Sequence, residues 1–451
     1  MGTVADRFAR LAALRPARVF SERPPELRAP DESDPLSRLL GGGIARNRYG
    51  EHLAIRNWFS TPEFVPPSAV ALELLSRTRD RALSRRTREA LENPEKWLFL
   101  DTETTGLAGG TGTYAFLVGL AWWEAGGFEI EQMFLRDFSE EHSLLEELAE
   151  RLAERPVLVT FNGKSFDWPL LENRFTMTRA IRVPQLAAHL DLLHPARALW
   201  KLRLGSVRLV ELERQVLDPP RLGWQRENDV ASSLIPQYYF NFLRAGTAQP
   251  LVAVVKHNQM DLRGLAALFG KINSLLEARE PLPSQADSVD LFGLSKFLKR
   301  KGEPEWAYSA CTRALSAGLP AEFRPQATRE RALLAKRHGD SAEAAGLWQE
   351  LVAHPEEGVL ACEQLAIYFE RKAHDLARAM EFTELGIRKL QPKLARSSSS
   401  LRSARNLRLE KKLLCRLARL RHRTSKVQAT TRAPLLANAA AVASGSRQRT
   451  R

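Results

Sequence analysis

At 451 residues, 44% hydrophobic and 27% charged, the chain is long enough for two or three domains with their own cores, and wholesale disorder is excluded. Cys311, Cys362 and Cys415 lie too far apart for a CxxC pair or a disulfide framework, and there is no run of about 18 apolar residues or signal-type start; the expectation is a soluble cytoplasmic protein without a zinc site or a membrane partner. The net charge of +14 belongs to one end, because residues 391–451 hold 16 Lys and Arg against a single acid, Glu410. Such a tail favours phosphate backbones through counterion release, although the same composition also simply keeps a chain solvated.

Residues 1–94 are rich in Arg and Pro. Arg23-Pro24-Pro25, Pro30, Pro35, Gly41-Gly42-Gly43 and Pro66-Pro67 break any long element, so an irregular arm with short helices is expected. Within it, Glu51 to Phe59 alternates partly as a strand would, and Ser68 to Glu92 has helical composition. The pattern sharpens at Trp97-Leu98-Phe99-Leu100-Asp101-Thr102-Glu103-Thr104-Thr105-Gly106-Leu107. The four apolar residues after Asn93-Pro94 read as a buried central strand, at whose end Asp101 and Glu103 point to the same side. Two such acids repel each other unless a cation lies between them, and oxygen-only ligands suit Mg²⁺ or Mn²⁺. On its own, an Asp-x-Glu turn is more often simply solvated.

Tyr114 to Trp123 and Phe128 to Leu135 are β-rich and flank Ala125-Gly126-Gly127, a hairpin signal. Ser139 to Glu154 reads as a helix, acidic in its first turn, with Leu144, Leu145, Leu148 and Leu152 on one face. Val157 to Phe161 is a short buried strand. A three-strand meander followed by a helix and a parallel strand is the opening of an RNase H-like mixed α/β sheet flanked by helices. In Asn162-Gly163-Lys164-Ser165-Phe166-Asp167-Trp168-Pro169, Gly163 supplies the turn and Asp167 opens a helix, either as its N-cap or as a further acid of the site. Asp191 reads as an outer ligand or a structural acid, and Asp229 as a helix N-cap. In the helical stretch Pro250 to Ala278, the four-residue spacing of His257-Asn258-Gln259-Met260-Asp261 sets His257 beside Asp261 on one face, as in an ordinary exposed pair.

Residues 287–390 change character. Lys301-Gly302-Glu303, His338-Gly339-Asp340 and Ala373-His374-Asp375 recur at offsets of 37 and 35 residues, which suggests an all-α region of tetratricopeptide-like hairpins, the alternative being an ordinary helical bundle. Beyond Gln391, Ser397 to Ser400 mark a linker, Leu401 to Arg421 can form one basic amphipathic helix, and the rest is expected to be disordered.

Together, Asp101-Thr102-Glu103, Asn162-x-x-x-Phe166-Asp167 and His257-x-x-x-Asp261 resemble the DEDD, or DnaQ-like, superfamily of 3′–5′ exonucleases. With Gly109-Gly110-Thr111-Gly112-Thr113 and the helical region that follows, the chain resembles the YprB-type RNase H-like family, with an exonuclease domain over residues 95–280. The resemblance implies hydrolysis of phosphodiester bonds at single-stranded DNA or RNA ends with two divalent cations, Mg²⁺ or Mn²⁺, which at about 3.5–4 Å apart activate water and take charge from the leaving oxygen. It assigns Asp101 to bridge both ions, Glu103 and Asp261 to the nucleophile-side ion, Asp167 to the other, and His257 to orient or deprotonate the water. Thr104, Leu107, Asn162, Lys164 and Phe166 become substrate contacts, Leu107 either as an apolar wedge or as simple packing. The helical repeats would offer a surface for a protein partner. One departure is the four-residue His257 to Asp261 spacing, where the His-bearing branch of the superfamily uses five. The competing functions are a catalytically silent nucleic-acid- or protein-binding scaffold and a structure-specific endonuclease.

Overall fold

The computed structural model describes residues 34–76, 84–106, 112–124, 126–217, 219–226, 229–277, 286–395, 404 and 406–426. The chain divides into two compact units, Met1–Ser284 and Gln285–Arg451. The first contains, in chain order, α1 (Pro35–Leu40), β1 (Gly43–Asn47), β2 (Gly50–Phe59), α2 (Ala69–Ser76), α3 (Arg85–Leu91), β3 (Trp97–Thr104), β4 (Ala115–Glu124), β5 (Gly127–Phe134), α4 (Glu141–Glu154), β6 (Val157–Thr160), α5 (Asp167–Thr178), β7 (Ala188–Asp191), α6 (Leu193–Leu204), α7 (Leu209–Leu212), α8 (Pro219–Leu222), α9 (Ile235–Ala245) and α10 (Leu251–Glu277). The strands form one mixed sheet in the order β1-β2-β5-β4-β3-β6-β7. It is antiparallel from β1 across to β3 and parallel from β3 through β6 to β7.

Both faces of β3 are covered, which is why it reads as an unbroken apolar run rather than an alternating one. Leu98 and Leu100 join a core with Leu144 and Leu148 of α4 and Leu171 and Phe175 of α5. Trp97 and Phe99 turn to the other face and meet Phe269 of α10 edge-on, at 5.0 and 6.2 Å between ring centroids. The two-residue period of a strand then delivers Asp101 and Glu103 to this same face, under α10.

Part of the expected irregular arm is sheet. β2 runs antiparallel to β5 from Leu53 opposite Phe134 to Phe59 opposite Phe128, and β1 continues the sheet beyond it. Leu53, Ala54 and Ile55 are buried. Arg56 pairs at 2.6 Å with Glu131 of β5, which Arg151 of α4 also holds at 2.6 Å. Burial would raise the pKa of Glu131, but Arg151 and Arg56 together hold it below the ordinary carboxylate value. β2 falls on the partly alternating stretch Glu51 to Phe59, whereas β1, five residues long and next to the Gly41–Gly43 breaker, carries no such pattern.

The second unit comprises α11 (Ser288–Lys301), α12 (Pro304–Ser316), α13 (Arg324–Arg337), α14 (Ser341–Leu351), α15 (Gly358–Arg371), α16 (Leu376–Ala395) and α17 (residues 406–426). The turns expected at Gly302, Gly339 and His374 join α11 to α12, α13 to α14 and α15 to α16, with φ of +87°, +91° and +56°. α16 continues past the boundary expected at residue 390. α17 is not a solvated arm: Leu413, Leu417 and Leu420 are buried, Leu420 in a core with Trp348, Leu365, Phe369 and Phe382. Arg416, Arg419 and Arg423 all bond Glu370 of α15, and Arg421 pairs with Glu384 of α16. The basic face of this helix is therefore partly engaged within its own unit. The expected linker at Ser397 to Ser400 and the final residues 427–451 lie outside the described residues. No helix among the described residues is long and apolar enough to cross a membrane.

If α17 is docked in this way, Leu420→Ala should destabilise the second unit by about 2–5 kcal/mol. Leu414→Ala, on the same helix but 49% exposed, should stay within about 0.5 kcal/mol. Urea unfolding of the whole chain, followed through the transition of this unit, measures both; equal effects would contradict the docking.

Candidate active site

The sheet pairing of β3 with β4 shifts register between Glu103 and Thr104, an irregularity of the kind that re-aims side chains at a strand end. Asp101 lies opposite Gly119 of β4. The Asn258 amide of α10 donates from Nδ2 to Asp101 Oδ2 at 2.8 Å, and Gln132 of β5 donates to Asn258 Oδ1 at 2.8 Å, which fixes the orientation of that amide. A Cβ at position 119 would sit 2.1 Å from Asn258 Oδ1, so the absence of a side chain there lets α10 come close enough for Asn258 to reach Asp101.

Asp167 is the first residue of α5 and makes no capping bond. Its Oδ1 instead accepts from Thr102 Oγ1 at 2.5 Å, so it stands with the β3 acids and the N-cap reading falls away. On α10, His257 and Asp261 do lie side by side, with His257 Nε2 3.6 Å from Asp261 Oδ2 and 3.9 Å from Glu103 Oε1. His257 Nδ1 is 2.7 Å from Asp229 Oδ1. Asp229 is therefore not the cap of α9, which begins only at Ile235; it holds the imidazole. Burial would raise the Asp229 pKa, but the hydrogen bonds from His257 and Arg226 outweigh it and keep the carboxyl below its usual value. An ionised Asp229 accepts the Nδ1 proton and leaves the Nε2 lone pair facing Glu103 and Asp261.

Arg226 was not foreseen as part of the site. Its guanidinium donates to both oxygens of Glu213 at 2.6 Å, to Asp229 Oδ2 at 2.9 Å and to Asp261 Oδ1. Glu213 fits because position 264 of α10 is glycine: a Cβ there would lie 2.0 Å from Glu213 Oε1. Asp191 is a structural acid, accepting backbone N–H bonds from Asn162 at 2.8 Å, Lys164 at 3.1 Å and Leu193 at 3.0 Å, and so tying the loop after β6 to the start of α6. Asn162 takes φ +69° in that loop. Phe166, just ahead of Asp167, is 59% exposed. The Thr104 hydroxyl donates to the Gly106 carbonyl and closes the strand's exit. Leu107, like Gly109 to Thr111, lies outside the described residues.

Burial, followed by the charges of Asp261, Glu103 and Asp167, pushes the Asp101 pKa well above that of an ordinary aspartate. Burial, Asp261, Asp167 and Asp229 do the same to Glu103, and burial raises Asp167 in spite of the Thr102 hydrogen bond. Among the described residues, no Lys or Arg pairs with any of these three. An all-oxygen donor set with uncompensated charge fits a hard divalent cation. The cage is not finished, however. Among the described residues no group of three or more His, Cys, Asp and Glu side chains stands ready to hold an ion, and Asp261 Oδ1 is held by Arg226. His257 and Asp261 also face a cleft of about 520 Å³, which Asn162, Arg197, Lys201 and Arg208 help to line.

Because the three carboxyls keep their protons to higher pH in the folded chain than in the unfolded one, the folded state binds more protons above the ordinary carboxylate range, and metal-free stability falls as pH rises from about 4. Thermal midpoints in EDTA should therefore drop between about pH 5 and about pH 8. Added Mg²⁺ or Mn²⁺ should restore stability by an increment that grows over the same range, and Asp101→Asn should flatten both trends. Identical pH profiles for parent and variant would count against the electrostatic account.

A family model described as RNase_H_2, of the RNase_H superfamily, matches residues 98–273, which run from β3 into α10. The uncharacterized protein YprB of Bacillus subtilis (strain 168) is 31% identical over 296 residues, an alignment covering 65% of this chain and 69% of that protein. Membership supports a nuclease-type function, and RNase H-like nucleases generally use divalent metals. Residues 98–273, with the carboxylates at the end of the central strand, are thus an RNase H superfamily domain, and the chain belongs to the family of YprB.

Proposed function

We propose that the chain is a 3′–5′ exonuclease that hydrolyses single-stranded DNA or RNA ends by a two-metal mechanism. The observation that carries this reading is the set of Asp101, Glu103 and Asp167 at one strand end, their pKa values raised and no cationic side chain among the described residues set against them. Asp101, Glu103, Asp167 and Asp261 would hold the cations, which when bound supply an activated water and take up charge from the leaving 3′ oxygen. Asn258 fixes the Asp101 carboxylate and Thr102 the Asp167 carboxylate, so two of the acids are oriented before any ion arrives. His257, held through Nδ1 by Asp229, presents Nε2 to accept the proton of the attacking water. Phe166 offers an exposed ring on which a terminal base can stack.

A catalytically silent scaffold has one observation in its favour, namely that Arg226 already takes one oxygen of Asp261. It leaves Asp101, Glu103 and Asp167 without a cationic partner, which is why the nuclease reading is preferred.

Purified protein with Mg²⁺ or Mn²⁺ should shorten single strands labelled at the 5′ end stepwise and leave circular strands intact. Cleavage of circles would indicate an endonuclease, and no metal-dependent cleavage of either would favour the scaffold. Asp101→Asn, Glu103→Gln and Asp167→Asn should each abolish cleavage. His257→Ala should lower the rate by roughly 10²–10⁴-fold. Asp229→Asn should approach that loss, because an amide donor at Nδ1 forces the imidazole proton onto Nε2. Parental rates in His257→Ala would remove the imidazole from the mechanism.

A further inference from the structure

We propose that Arg197, Lys201 and Arg208 form a phosphate-binding wall along which a single nucleic-acid strand lies as it leaves the carboxylate site. This rests on the nuclease reading for its purpose but not for its geometry. α6 buries Ala196, Leu199 and Trp200, and its outward face carries Arg197 and Lys201. Four residues apart, they stand side by side with a rise of about 6 Å between them. Gly205, at φ +69°, ends α6 and turns the chain so that Arg208, the residue ahead of α7, returns to the same cleft. The cleft of about 520 Å³ thus has His257 and Asp261 on one side and three cations on another.

These cations differ in one respect from the arginines that the first unit uses in its buried ion pairs. Arg151, Arg174 and Arg226 are each matched by buried or half-buried glutamates, whereas Arg197, Lys201 and Arg208 are exposed and make no ion pair among the described residues. Exposed cations left unmatched beside a group of acids call for an anionic ligand that spans both. A phosphodiester chain has that character, with one phosphate at the acids and the next ones along the wall. Phe161, Leu193, Val207, Leu209 and Val210 make up the apolar part of the remaining lining, and Asn162, Ser206 and Ser232 are its uncharged polar members. The volume falls in the range of about 300–1,000 Å³ that encloses a small molecule, enough for a nucleotide or two of one strand but not for a duplex.

The test is the salt dependence of binding to 5′-fluorescein-labelled oligothymidylate and oligouridylate, read by anisotropy with the full chain in EDTA so that nothing is cut. The combined variant Arg197→Gln, Lys201→Gln, Arg208→Gln should lower the slope of log K against log salt by about 0.7 per lost contact, about 2 in all. The same number of charges removed from α3, by Arg85→Gln, Arg86→Gln and Arg88→Gln, should leave the slope at the parental value, because α3 leads into the opposite end of β3. Arg197→Lys with Arg208→Lys should also keep it, which separates lost contacts from a damaged fold. An unchanged slope in the wall variant, or an equal loss in the α3 variant, overturns the proposal. So does a blunt duplex that binds as tightly as the single strand. If the slope falls as expected in a protein that cleaves nothing, the wall stands and the nuclease reading fails; if the parent cleaves but the slope does not move, the reverse holds.

Discussion

Like charges gathered at one end of a central strand, where little water reaches them, repel each other strongly enough to dictate what surrounds them. Burial raises the pKa of Asp101, Glu103 and Asp167, that of Asp101 and Glu103 well above the ordinary value, so in the metal-free chain they are a source of strain. The fold withstands that strain because of what lies further down the same strand face. Trp97 and Phe99 lock against Phe269, and that contact clamps α10 across β3. About 16 Å back along the helix, at 1.5 Å per residue, the clamp sets Asn258 over Asp101. Apolar packing thus fixes the position of a polar amide, and the amide fixes a carboxylate.

A second set of charges stands behind the first. Arg226 satisfies Glu213, Asp229 and Asp261 at once, and its side chain is only 8% exposed. Removing one member of such a buried group leaves the others uncompensated, which typically costs about 3–5 kcal/mol. The arrangement keeps Asp229 ionised and divides Asp261 between two neighbours, one oxygen toward Arg226 and the other toward His257. The two sets of acids therefore differ in their electrostatics: among the described residues the inner one has no Lys or Arg paired with it, and the outer one has Arg226.

What could be read from the sequence was whatever repeats or stands close in the chain. The β3 run, the hairpin around Gly126, the Leu face of α4 and the three helix-joining turns all follow from local patterns, and the carboxylates came with them. Asp229 was misread as a cap because local rules cannot tell that α9 starts six residues later or that His257, 28 residues on, needs a partner. Arg226 and Glu213 carry no local signal at all, since their meaning lies in a contact across α10. Asn258 did leave a trace, a glycine in the middle of the otherwise bulky β4, which marks a close approach without saying by what. α17 shows the complementary limit: its apolar stripe predicts that something covers it, but only the structure identifies the covering surface as α15 and α16.

The hairpin of β1 and β2 lies upstream of the segment that the family model spans, and it takes no part in the site. Without it, β5 would become the outermost strand. Gly127–Phe134 is buried at every position, so a fragment trimmed to residues 98–273 would open the N–H and C=O groups of alternate residues along this edge, beside Phe128, Ile130, Met133 and Phe134. Such an edge templates the addition of further strands. In the longer chain the outer place goes to β1, five residues long and bearing the exposed Arg46, a poor template. The segment that looks most dispensable to the chemistry is the one that keeps the sheet from growing.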